Sequence, residues 1–193
     1  YNSTDFIWQF KSKKRAQNNN DQITETLEHI LHTLTHFALP GAFPHEIQLE
    51  KPKGLLYEAY SEAVRNGVYD TSDYKDISKK NFEFQRITMT EYLYCLIYAK
   101  WGFTKRYTDQ GSLSPEWSDN HLTTESIEKD NPLGEKLYNN YISKVISKPS
   151  IVELEKIFKS NNKGESNYKS DEKISSKINI EKINILSFSP TKL

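Results

Sequence analysis

The chain has 193 residues, enough for one well-buried domain with a small remainder of arm or tail. Its 26 basic and 26 acidic residues cancel, so no global field recruits nucleic acid or an anionic membrane surface. With Cys95 as the one cysteine there is neither an internal disulfide nor a thiolate zinc knuckle, and no apolar run approaches the ~20 residues of a transmembrane helix. The expectation is a soluble protein. No charged n-region leads into an apolar h-region, so it is read as cytoplasmic, or secreted after removal of a leader.

In chain order, residues 1–20 read as a flexible N-terminal arm, with an apolar cluster of Phe6, Ile7, Trp8 and Phe10 followed by a solvated basic run from Lys11 to Arg15. A first helix starts at Asn20 or Asp21, either of which can cap it. It ends at Leu39-Pro40-Gly41, where Pro40 disfavours helical geometry at the residue before it. A second helix covers residues 55–66, stopped by Gly67, with Glu58 and Glu62 one turn apart on it. Asp70, Asp73 and Asp76 follow without the glycine and terminal glutamate of a calcium loop.

The most apolar stretch, residues 92–101, reads as the central core helix. Thr88-Met89-Thr90-Glu91 before it has the form of a capping box, which gives Glu91 a structural task beside a ligand role. Residues 102–121 form a long connection in which Tyr107, Asp109 and Trp117 either face a substrate or partner or pin the loop to the core. Helices over 123–130 and 134–147 follow, and a last one opens at Ser150-Ile151-Val152-Glu153, again a capping-box pattern. Residues 161–193, rich in Lys, Ser, Asn and Glu, bury too little to offset the entropy of ordering and read as a disordered tail. The fold class is therefore mainly α: a single helical domain of about five or six helices with long ordered loops over residues 21–160.

Chemistry concentrates on the first helix. His29, His32 and His36, with Glu25, fall within about 60° of one another at about 100° per residue, whereas Ile23, Leu27, Ile30, Leu31 and Leu34 gather on roughly the opposite side. Neutral imidazole is the commonest protein ligand for zinc and similar ions, so this stripe is a candidate site for a divalent transition metal, zinc first. The spacing favours His32 with His36, or His29 with His32. Further ligands are sought among Glu25, His45, Glu58, Glu62, Glu91, Asp109 and His121. Compared with the His-Glu-x-x-His helix of zinc peptidases, Thr33 stands where the water-activating glutamate would be, which leaves Glu28 as the candidate general base on this helix. Two function classes follow: a metal-dependent hydrolase acting on a small molecule or protein, or a non-catalytic interaction or structural module in which the histidines serve structure.

Overall fold

A computed structural model describes residues 20–77, 82–108 and 116–158. The N-terminal arm, the capping side chains of Asn20 and Asp21, Asp109 and the C-terminal tail lie outside the described residues. Within them the chain is mainly helical, and no helix is long and apolar enough to cross a membrane. The elements are α1 (Asn20–Thr33), α2 (Leu39–Ala42), α3 (Leu55–Arg65), α4 (Phe82–Lys100), α5 (Phe103–Tyr107), α6 (Thr124–Asp130), α7 (Pro132–Leu137), α8 (Ser143–Val145) and α9 (Ile151–Ile157). Two π-helical turns, Leu34–Ala38 and Tyr138–Ile142, join α1 to α2 and α7 to α8, so the described residues form seven helical rods.

The core is organised around α4, whose residues from Tyr92 to Ala99 are all buried, as expected of a helix apolar on every side. It packs against α1, α3, α5 and the second π turn. Tyr92 stands edge-on to Tyr60 and Tyr69, Tyr98 stands edge-on to Phe103, and Tyr94 is tilted against Tyr98. On α1 the core face is Ile23, Leu27 and Leu31, while Ile30 is exposed. The expected apolar face is thus narrower than the wheel suggested.

Three local expectations are corrected. Pro40 does not stop the first rod. The rod runs on to Ala42, one residue past the expected stop, because the preceding π turn, in which Leu39 N–H bonds back to Leu34 O, widens the backbone where the proline ring would crowd the carbonyl of His36. The helix expected to be capped at Thr88 starts six residues earlier at Phe82, so Thr88 Oγ1 donates to the carbonyl of Phe84 in mid-helix and Glu91 has no cap to serve. Part of the connection after Gly102 is itself helical, as α5, which supplies the rod beyond the six expected. At the other end Ser150 does cap α9, accepting from the N–H of Glu153.

The segment around Trp117 is fastened by backbone. Asp70 N–H donates to Glu116 O at 2.7 Å and Ser118 N–H to Val68 O at 3.0 Å. Trp117 itself is 2% exposed, with its indole N–H donating to the carbonyl of His121. Trp117→Ala is therefore expected to destabilise the fold by about 3–5 kcal/mol in urea denaturation, the cost of a large core truncation. A loss under about 1 kcal/mol would contradict this placement.

Candidate metal centre

Where α1 crosses α4, one face of α1 presents Glu28 and His32, four residues apart and hence one above the other. From α4, Glu91 reaches across, its Oε2 lying 3.0 Å from His32 Nε2. Each of the three offers one ligand atom, and these atoms all lie within 4.8 Å of one another, so the group could hold a metal ion. Bonds of about 2.1 Å place tetrahedral ligand atoms about 3.4 Å apart, to be compared with the upper separation of 4.8 Å here. Two carboxylates also balance the charge of a divalent cation.

The surroundings tighten the site. Tyr94, one turn along α4, packs its ring edge-on to His32 with centroids 5.4 Å apart. Its hydroxyl is buried and has no hydrogen-bond partner among the described residues, and burial, with the negative charge of Glu28, holds that phenol far above its ordinary range. His29 stands edge-on to His32 at 5.7 Å, and its Nε2 is 3.1 Å from Glu25 Oε1. This makes a second carboxylate–imidazole pair beside the first.

Glu28 carries the clearest electrostatic signature. Burial raises its carboxyl from 4.5 to about 7; His32 opposes the rise, while Glu91 and Glu25 add to it. Because the folded chain binds this proton more tightly than the unfolded one, the contribution to stability is fully present below about 4.5 and is lost as pH climbs through about 7. Glu28→Gln, neutral at every pH, is expected to flatten that slope. In the presence of a chelator the variant should exceed the parent chain in stability at pH 8 by on the order of 1 kcal/mol, discounted for partial exposure, and match it near pH 4.5. Parallel stability curves from pH 4.5 to 8 would exclude it.

The other residues singled out by sequence lie elsewhere. His36, in the π turn, stacks edge-on to Phe37 and lines a groove with Arg86, because the wider turn carries it off the His32 stripe. His45 and Glu58 are exposed. Glu62 is buried in a different network, where its Oε2 accepts from Asn131 Nδ2 and the Leu133 N–H. His121 Nε2 lies 3.0 Å from Asp130 Oδ2. Tyr107 is buried, its carbonyl accepting from Thr24 Oγ1. Sequence reasoning weighed Glu28 as a base and overlooked it as a ligand, although its spacing of four from His32 was the signal. The chain matches no protein-family model, no curated protein and no solved structure.

Proposed function

We propose that the domain binds one divalent transition metal through Glu28, His32 and Glu91, and that the ion serves metal-dependent hydrolysis. The observation that carries this reading is the convergence of three ligand atoms from two helices within 4.8 Å. One imidazole and two carboxylates form a nitrogen and oxygen donor set suited to zinc, iron(II) or manganese(II). Zinc ranks above the other two in intrinsic affinity and is the first to test. Three protein ligands leave a further coordination position for water, the arrangement of catalytic as opposed to closed structural sites. On this reading Glu28 ligates the ion, and the base role passes to the Glu25–His29 pair beside it.

A second reading has one observation in its favour: His29 and His32 each already face a carboxylate, at 3.1 and 3.0 Å, as ordinary ion pairs holding α1 on itself and on α4 would. The site would then be structural and the domain a non-catalytic interaction module. Elemental analysis of protein purified without a polyhistidine tag separates the two. About one equivalent of ion per chain supports the metal site; metal-free protein whose unfolding is unmoved by added zinc supports the second.

A further inference from the structure

Beyond the metal cluster, about one turn further along the first rod, a groove of about 310 Å³ opens between His36 of the π turn, the loop that follows α2, and Arg86 of α4. Its volume is at the lower end of the range for small-molecule sites. The loop that walls it is fixed by backbone: Ile47 N–H donates to Phe43 O, and the Leu56 N–H of α3 donates to Glu46 O, each at 2.9 Å. Gly54 is needed for that approach. At φ +87° a Cβ there would stand 2.8 Å from the carbonyl oxygen of His45 and 2.9 Å from that of Glu46. The groove is therefore built before any ligand arrives.

Its chemistry is asymmetric. Pro40, Pro44, Ile47 and Leu49 give it an apolar side, and Arg86 and Lys51 give it cations. Arg86 is half-buried and has no ion-pair partner among the described residues, so its guanidinium donors are open to an anion. Glu50 cancels one of the two cations. Burial, and next the charge of Arg86, lower the imidazole of His36 below its ordinary range against the opposing pull of Glu50, so it adds no charge at neutral pH. One positive charge is left beside an apolar wall, which matches a carboxylate monoanion in preference to a phosphate dianion.

We propose that this groove binds a small organic monocarboxylate, its head group held by the Arg86 guanidinium with Lys51 at the rim, and its hydrocarbon body laid against Pro40, Pro44, Ile47 and Leu49. The fork of the guanidinium suits the two oxygens of a carboxylate. The site uses none of the three candidate metal ligands and stands or falls apart from them.

Hexanoate is the probe, titrated into the full chain with chelator present and followed by backbone amide shifts. Saturable shifts confined to His36, residues 47–51 and Arg86 are expected, with hexanol and inorganic phosphate each binding at least about tenfold more weakly. Arg86→Gln should weaken hexanoate about tenfold or more, and Arg86→Lys less, since the charge stays but the fork is lost. Lys51→Gln, on the exposed loop and harmless to folding, should weaken it about two- to threefold and keeps the test valid if the Arg86 variants fail to fold. Equal binding of hexanoate and hexanol, tighter binding of phosphate, or Arg86→Gln and Lys51→Gln variants that both bind like the parent chain would overturn the proposal.

Discussion

His32→Ala is expected to weaken zinc binding by at least about a hundredfold, since even a lost outer-shell partner typically costs ten- to hundredfold and this residue is the one nitrogen donor in the group. Linkage turns that loss into a stability difference. At a zinc concentration of about 100 times the dissociation constant, the parent chain gains about 2.7 kcal/mol; with affinity a hundredfold lower, the same concentration gives the variant only about 0.4 kcal/mol. For a chain of this size the gap corresponds to a midpoint difference of about 5–10 °C. Calorimetric scans with and without zinc measure it, and Glu91→Gln, which keeps shape but drops the charge, should behave alike. His36→Ala is the decisive companion. Its imidazole lines the groove with Arg86, so zinc affinity should stay within about threefold. If His36→Ala lost zinc as His32→Ala does, the pair one helical turn apart would be the ligands after all, and the carboxylates of Glu28 and Glu91 would not.

Asn131→Ala is expected to cost about 3–4 kcal/mol and to lower the melting midpoint by about 10 °C, although the residue is neither apolar nor one of the candidate metal ligands. Asn131 is fully buried between α6 and α7. Its Nδ2 donates to the carbonyl of Ala59 and to Glu62 Oε2, and its Oδ1 accepts from the Tyr92 hydroxyl at 2.6 Å. Truncation removes a partner from a buried phenol, a buried carbonyl and a buried carboxylate together, and each such loss costs about 1–3 kcal/mol. Asn131→Asp should be as damaging at neutral pH, because it sets a second carboxylate against Glu62, and should recover on acidification. Gly134 belongs to the same unit. A Cβ there would lie 2.1 Å from Asn131 Oδ1 and 2.6 Å from the Tyr92 oxygen, so Gly134→Ala, ordinarily favourable in a helix, should instead destabilise. Urea denaturation reads all three, and an Asn131→Ala chain within about 1 kcal/mol of the parent would dismiss this network as a determinant of stability.

The two variants probe residues of opposite legibility. His32 stood out because histidine is scarce and three of the five in the chain share one helical stripe. Asn131 carried no such mark. An asparagine before a proline reads as a turn, and only the packing of α3, α4 and α7 around it turns its amide into a junction of three hydrogen bonds. Glu91 shows how a local rule misleads. Thr88 and Glu91 have capping-box spacing, yet the helix starts at Phe82, since burial along α4 extends helix through Thr88 and leaves the threonine bonding backward to Phe84.

Residue patterning along the chain determined that it is mainly helical, that the most apolar stretch, residues 92–101, forms its centre, and that one side of α1 is rich in acid and imidazole. Those properties are local, set by spacing along a helix of known pitch. Tertiary structure decided which of these groups meet. It brought Glu91 from α4 to His32 across 59 positions of sequence, buried Glu28 enough to raise its carboxyl to about 7, and let a π turn swing His36 toward Arg86. The physical reason is that a ligand set needs ångström convergence of side chains from separate helices. Crossing points, burial and a single change of helical register fix that convergence, and no pattern within one segment contains them.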